Sequence, residues 1–234
     1  MKLLAFETAT EGCSVAVWVD GDVRERFEVA PRRHAELALP WAEQLLAEAG
    51  VAKAGLDAIA VGRGPGAFTG VRLAIAIAQG IALALDRPVV PVSTLAALAA
   101  GAPETGSPRI LAAIDARMGE VYSGAFERRD GDLVAVSKET VARPEAVALP
   151  ADGERWQGVG TGFAAGEGAL PAHLGPRLAN VDATALPRAA AVARLAAAAF
   201  ERGEALPPER IEPAYLRDNV ALTLAEQQAL RDAR

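Results

Sequence analysis

The order of hydrophobic and polar positions divides the first thirty residues into three short segments. Apolar residues alternate or run together, as they do in partly buried strands, at residues 3–8, 13–19 and 22–29. Asp20-Gly21 separates the second segment from the third, and this dipeptide is favoured in two-residue hairpin turns. The chain is therefore predicted to begin with a meander of three strands.

The same pattern returns after residue 108. Strands are predicted at residues 109–115, 120–127 and 132–140. Asp130-Gly131 stands at the second hairpin, and in both copies the first strand ends on an acidic residue, Glu7 or Asp115. The repetition predicts an internal duplication into two similar lobes. Chance recurrence is the alternative, because Asp-Gly is common in hairpins.

Helices and further strands follow each set of three. In the first half they are a helix at 35–49, a strand at 56–61, a loop at 62–69, a helix at 70–85 and a strand at 88–92. In the second half they are a strand at 156–159, a helix at 187–202, an extended stretch at 206–215 and a terminal helix at 222–230. Residues 100–108 form the predicted linker.

This order predicts an α/β fold in which each lobe is a mixed sheet flanked by helices. The first lobe is expected at residues 1–102 and the second at 103–234. Within the second lobe, residues 205–234 are expected to form an extended segment followed by the terminal helix.

The loop before the second helix is rich in glycine and holds Gly64, Gly66 and Gly70. Thr69 can cap that helix, and the free N–H groups of a helix start favour an anion. The spacing matches neither the P-loop nor the dinucleotide fingerprint. A phosphate site and a tight strand-to-helix connection both remain open, and the residues alone favour the connection.

The helix at 70–85 carries small residues at every fourth position on two faces. Ala74, Ala78 and Ala82 form one face, and Ala76, Gly80 and Ala84 form another. Such a helix must be surrounded, either inside its own lobe or by another chain. If another chain surrounds it, we expect the interface to include these residues of the two neighbouring helices: His34, Leu37, Trp41, Leu45, Arg72, Ala74, Ala78 and Ala82.

Composition and charge narrow the class of protein. The 234 residues are 51% hydrophobic and 23% charged, which is typical of a folded globule. The net charge of −6 opposes a broad basic surface for nucleic acid. The apolar run at 73–85 is short for a membrane span, and the single cysteine, Cys13, excludes an internal disulfide. A cytoplasmic protein without a membrane segment is predicted.

Few side chains suit catalysis. His34 and His173 fall in different lobes, so no histidine pair at helical spacing can hold a catalytic metal. Cys13 opens an apolar strand, where burial would make its thiol inert. Glu7 and Asp115 are the acids that could face each other across a cleft between the lobes, as around magnesium in an ATPase. Neither has a glycine close behind it, so a phosphate cradle there would be degenerate.

Five segments together resemble the bacterial TsaB (YeaZ) family. They are residues 4–10 with 13–15, 34–37 with Pro40, 64–72, 114–122 and 213–217. The resemblance implies an actin-like (ASKHA) fold and a role in making threonylcarbamoyladenosine beside the tRNA anticodon. The family usually has Asp where this chain has Glu7, which weakens any magnesium–nucleotide site in the first lobe.

The resemblance also implies partners. A non-catalytic pseudo-enzyme scaffold is expected, forming a heterodimer with the related transferase TsaD, acting beside the ATPase TsaE and dimerising with itself when alone. No cofactor is expected on this chain, ATP, ADP and metal belong to the partner subunits, and tRNA is held mainly through the complex. The alternatives are an actin-like ATP-dependent phosphotransferase and a glycoprotease-like peptidase.

Overall fold

Two mixed β-sheets and five α-helices form the part of the chain that the computed structural model describes, which is residues 1–104, 107–150 and 155–217. The strands are β1 (Lys2–Glu7), β2 (Gly12–Val19), β3 (Asp22–Val29), β4 (Ala58–Gly62), β5 (Val89–Val92), β6 (Arg109–Arg117), β7 (Glu120–Arg129), β8 (Asp132–Ala135), β9 (Thr140–Ala142), β10 (Trp156–Val159) and β11 (Leu178–Asp182). The helices are α1 (His34–Glu48), α2 (Phe68–Leu85), α3 (Thr94–Ala100), α4 (Ala169–Leu174) and α5 (Ala189–Glu201). The terminal helix predicted at 222–230 lies outside the described residues.

The first sheet has the strand order β3-β2-β1-β4-β5. β1, β2 and β3 are antiparallel, whereas β4 pairs parallel with β1 and with β5. At the β2–β3 hairpin, Asp20 and Gly21 have φ angles of +48° and +108°. This left-handed backbone is what a two-residue hairpin of matching twist requires.

The second sheet has the same order of strands as the first sheet. Read from its antiparallel edge, its order is β8-β7-β6-β10-β11, and β9 adds a short pairing to β7. Its hairpin again uses a left-handed pair, Asp130 and Gly131, with φ angles of +52° and +90°. The predicted α/β fold of two similarly built lobes is thereby confirmed.

Two helices cross from one lobe to the other. α3 follows the last strand of the first sheet, yet Leu95 and Leu98 pack on Ile110 of the second sheet. α5 follows the last strand of the second sheet and packs Val192 on Leu3 of the first sheet. The predicted boundary after residue 102 falls between the two sheets, and these helices join the lobes across it.

The first lobe also caps the start of α5. The Ser14 hydroxyl accepts from the backbone N–H of Ala189 at 2.9 Å, and the Glu25 carboxylate accepts from that of Ala190 at 2.9 Å. The same carboxylate pairs with Arg188, just before the helix. Groups from β2 and β3 thus satisfy N–H groups that a helix start otherwise leaves without partners.

Several predicted boundaries were wrong. The helix expected at 70–85 begins at Phe68, so its N-cap residue is Ala67 and Thr69 lies inside the helix. The strand expected at 132–140 is divided into β8 and β9. Helices α3 and α4 and strand β11 were missed, because each is short and has no strong periodic pattern of its own.

Helix α2 has one buried face and one exposed face. Ala74, Ala78 and Ala82 are fully buried against the core of the first lobe. Ala76 and Gly80, on the other face, are exposed. By length and composition α2 could span a membrane, but the core helix of a globular protein passes the same test, and only 33% of this one is buried. The helix is a packed element of the lobe that leaves much apolar surface uncovered.

Candidate functional site: the cleft between the lobes

A cavity of about 650 Å³ lies between the two sheets. Its walls come from the β1–β2 turn, the first turns of α1 and α2, the end of β6 and the extended segment 213–217. The charged side chains that line it are Glu11, Arg32, Arg72, Asp115, Arg117 and Arg217, together with His34. This volume suits a small organic ligand or one nucleotide unit.

Glu7 does not line this cavity. It is fully buried at the end of β1, where its carboxylate accepts from the Ala9 backbone N–H at 2.8 Å and from the Thr94 hydroxyl at 2.9 Å. Burial raises its pKa from 4.5 to about 7, although the bonds from Ala9 and Thr94 oppose the shift. The expectation that Glu7 and Asp115 could face each other across the cleft is therefore corrected.

Asp115 is the acid that does reach the cavity. Its carboxylate accepts from the Arg117 backbone N–H at 2.8 Å and pairs with the Arg117 guanidinium at 2.9 Å. Arg117 has a φ of +62°, which turns the chain back toward Asp115. Both oxygens of this carboxylate therefore already accept a hydrogen bond within its own turn.

The glycines of the loop before α2 serve close packing. A Cβ added at Gly66 would lie 2.4 Å from the Ala9 carbonyl oxygen, and one added at Gly70 would lie 2.0 Å from that of Thr8. The Ala67 N–H donates to the same Ala9 oxygen at 2.7 Å. The loop is thus pressed onto the β1–β2 turn, where the phosphate hypothesis placed an anion. Its geometry favours the tight strand-to-helix connection.

The two histidines are hydrogen-bonded to backbone carbonyl groups, and the cysteine is buried. His34 Nε2 donates to the Thr10 carbonyl at 3.0 Å, and His173 Nε2 donates to that of Val147 at 3.1 Å in the other lobe. Cys13 is buried, and burial together with the charge of Glu28 raises its pKa to about 11. Among the described residues, no three His, Cys, Asp or Glu side chains lie close enough to hold a metal ion.

The segment 213–217 closes one side of the cavity and was missed as part of the site. The Ala214 N–H donates to the Arg63 carbonyl at 2.8 Å, and Arg217 bonds the Ala116 carbonyl and the Glu120 carboxylate in the second lobe. Arg72 donates to the Tyr215 hydroxyl. The available signals were the prolines that predicted an extended stretch at 206–215 and the family resemblance of residues 213–217, but neither showed where the segment would lie.

Only some of the residues predicted for the partner interface lie on the surface. Leu45 is buried in the core of the first lobe, as are Ala74, Ala78 and Ala82, so none of these four can touch another chain directly. Leu37 and Trp41 are half-buried on α1, whereas His34 and Arg72 line the cleft. The outward surface of α2 instead carries Leu73, Ala76, Gly80, Leu83 and Ala84.

The sequence is similar to known proteins over most of its length. The family model described as "TsaD: tRNA N6-adenosine threonylcarbamoyltransferase" matches residues 28–224. The chain is 43% identical, over 94% of its length and 96% of the relative, to the "tRNA threonylcarbamoyladenosine biosynthesis protein TsaB" of Escherichia coli K12. Its identity to the Haemophilus influenzae protein of the same name is 37%, over 94% of the chain and 95% of the relative.

A solved structure has the same fold. The protein described as "YeaZ from Pseudomonas aeruginosa" superposes with a TM-score of 0.86 at 47% identity. The match covers 92% of this chain and 99% of that protein. The similarity therefore extends over both sheets and the helices that join them.

Proposed function

The chain belongs to the TsaB (YeaZ) family of tRNA threonylcarbamoyladenosine biosynthesis proteins, and we propose that it is a non-catalytic subunit that binds a TsaD-type transferase. Its family takes part in making threonylcarbamoyladenosine on tRNA. The match to the transferase family supports the finer proposal, because two chains of one fold can pair through equivalent surfaces.

The state of the cleft supports a non-catalytic role. An actin-like phosphotransferase needs an acid beside the metal-bound phosphates and backbone N–H groups free to hold them. Here the Glu7 carboxylate is enclosed by Ala9 and Thr94, and the Ala67 N–H is bonded to Ala9. The two histidines are bonded to separate lobes, which disfavours the peptidase alternative.

The observation that carries the proposal is the uncovered apolar surface of α2. Leu83 is 64% exposed, and Ala76, Gly80 and Ala84 beside it are also exposed. α1 packs against α2 and exposes Leu39. Small residues at every fourth position let another helix approach closely, and contiguous apolar surface is typical of protein interfaces.

The remaining parts of the proposal follow the family. The heterodimer acts with TsaE in the cytoplasm, ATP, ADP and metal are bound by the partner subunits, and tRNA is held mainly by the complex. When alone, the chain uses the same surface to pair with its own copy. A self-complementary surface of this kind gives a twofold symmetric dimer.

The test is Ala76→Glu, which places a carboxylate in the middle of the exposed face of α2. The variant should fold, because its side chain points to solvent in the isolated chain. It should bind the cognate TsaD at least tenfold more weakly, since the charge loses its water at the interface. The mass of the complex by light scattering measures binding to TsaD, and the yield of modified tRNA measures the effect on function.

Ala135→Glu is the matched control, because Ala135 is exposed on β8 of the second lobe. It should leave complex formation and modification unchanged. A folded Ala76→Glu protein that binds TsaD with wild-type affinity would show that the partner uses another surface.

A further inference from the structure

Three side chains form a cluster at the mouth of the cleft that the proposed interface does not include. The Arg72 guanidinium lies 3.2 Å from the centre of the Phe68 ring and 5.0 Å from that of the Tyr215 ring. It also donates to the Phe68 carbonyl at 3.1 Å and to the Tyr215 hydroxyl. We call Phe68, Arg72 and Tyr215 the rim cluster.

The rim cluster is held in place and yet open to solvent. Phe68 is 67% exposed and Tyr215 is 60% exposed. The backbone of Phe68 lies in the first turn of α2, and the segment carrying Tyr215 is bonded to both lobes through Ala214 and Arg217. Two exposed aromatic rings on an anchored backbone, both in contact with Arg72, are therefore available to a ligand.

The charge around the rim cluster is opposite to that of the whole chain. Within the described residues, neither Arg32 nor Arg72 has a carboxylate within ion-pair distance, and both line the cavity. Of the two carboxylates that line it, Asp115 is paired with Arg117 and Glu11 is exposed. Because charge is screened over about 8 Å at physiological salt, this local surplus of arginine matters more to a ligand than the net charge of −6.

We propose that the rim cluster contacts RNA directly, with an unpaired base stacked on Phe68 or Tyr215 and a neighbouring phosphate bound by Arg72 and Arg32. Proteins read single-stranded RNA by stacking its bases on aromatic and guanidinium planes. A target beside the anticodon lies in such a single-stranded loop. This inference rests on the proposed role in tRNA modification and adds a direct contact from this chain.

Aromatic and arginine side chains are also frequent at protein hot spots. The cluster favours RNA because Arg72 and the nearby Arg32 have no carboxylate partner among the described residues and border a concave cavity large enough for a nucleotide. A protein partner on the same surface is one outcome of the test.

The experiment measures binding of a fluorescein-labelled 17-nucleotide anticodon stem-loop by anisotropy. The complex of this chain with cognate TsaD is compared with complexes of Arg72→Gln and Phe68→Ala. Each substitution should weaken RNA binding about tenfold. Arg72→Gln should also reduce the slope of log affinity against log salt by about 0.7, the value for one phosphate contact to a single strand, whereas Phe68→Ala should leave the slope unchanged.

The controls are Arg194→Gln on the exposed side of α5 and Val181→Ala on β11, which remove an arginine and an exposed apolar side chain away from the cleft. They should change RNA affinity less than twofold, and melting temperatures verify folding. RNA affinity within twofold of wild type for both cluster variants would overturn the inference. Loss of TsaD binding together with RNA binding would assign the cluster to a protein interface instead.

The inference and the proposed function can fail separately. If the chain and TsaD form no complex, the same titrations are made with the chain alone at low salt. Retention of the differences between cluster and control variants then supports the RNA contact while the proposed dimer fails. Equal affinities of all variants in that titration would overturn the RNA contact as well.

Discussion

The two lobes share a strand order and differ in the helices that follow it. In the first lobe, α1 and α2 have 15 and 18 residues and cover one face of the sheet. In the second lobe, the corresponding connections hold β9, short turns and the six-residue α4. Among the described residues, these two helices of the first lobe are the longest helical surface that a partner could contact.

The lobes also differ at the acid that ends their first strands. Glu7 is enclosed by the chain, whereas Asp115 reaches the cleft and pairs with Arg117. The same strand order thus carries an enclosed acid in the first lobe and an acid open to the cleft in the second. The difference shows that the two copies of a duplicated fold can keep the same strands while the segments between the strands give each copy different surfaces.

The largest effect is expected from Ala78→Glu in the core of the first lobe. Ala78 is fully buried in the first lobe, so a carboxylate there has neither room nor a partner. We expect a loss of about 5 kcal/mol in the free energy of unfolding, enough to unfold many domains. Circular dichroism and urea melts should separate this variant from Ala76→Glu, two residues away on the exposed face. Equal stability of the two would mean that the faces of α2 are assigned the wrong way round.

A smaller effect is expected from Gly70→Ala. Its Cβ would lie 2.0 Å from the Thr8 carbonyl oxygen, so α2 must move away from the β1–β2 turn. We expect about 3 kcal/mol of destabilisation in urea unfolding. Gly80→Ala is the matched control, because nothing lies within 4 Å of its added Cβ and alanine favours a helix by about 1 kcal/mol. Destabilisation by both substitutions would contradict the close approach at Gly70.

The smallest effect concerns the pH dependence of Glu7. Its pKa is raised from 4.5 to about 7 in the folded chain, so the folded state holds a proton that the unfolded state releases. The resulting stabilisation is complete below pH 4.5 and is lost as the pH rises through 7. Between pH 5 and 7 the loss should be about 2 kcal/mol.

Glu7→Gln should remove that part of the pH dependence, because glutamine imitates the protonated acid and cannot ionise. Unfolding free energies of both proteins at several pH values give the difference directly. Asp115→Asn serves as the comparison from the second lobe and should cost less than about 1 kcal/mol, since its partner Arg117 is exposed. Parallel pH profiles for wild type and Glu7→Gln would show that Glu7 is ionised at no cost.

Local sequence determined most of the strands and both Asp-Gly hairpins of this protein, although it did not reveal β11 or the division between β8 and β9. The Asp-Gly pairs at residues 20–21 and 130–131 adopt the left-handed backbone that their composition predicts, and β10 lies at the predicted residues. These features depend on neighbouring residues and on alternation with a period of two, both visible along the chain. The burial of Cys13 followed from the same pattern.

Only the tertiary structure decided which side of α2 is buried. The faces of Ala78 and Gly80 have the same spacing of small residues, so helical periodicity cannot predict which face is buried. Packing of the helix on the sheet buries the face of Ala78. The site depends equally on distant residues, since Thr94 encloses Glu7 from 87 positions away and Tyr215 meets Arg72 from 143. Such contacts arise when separate elements pack together, and no local pattern in the chain encodes them.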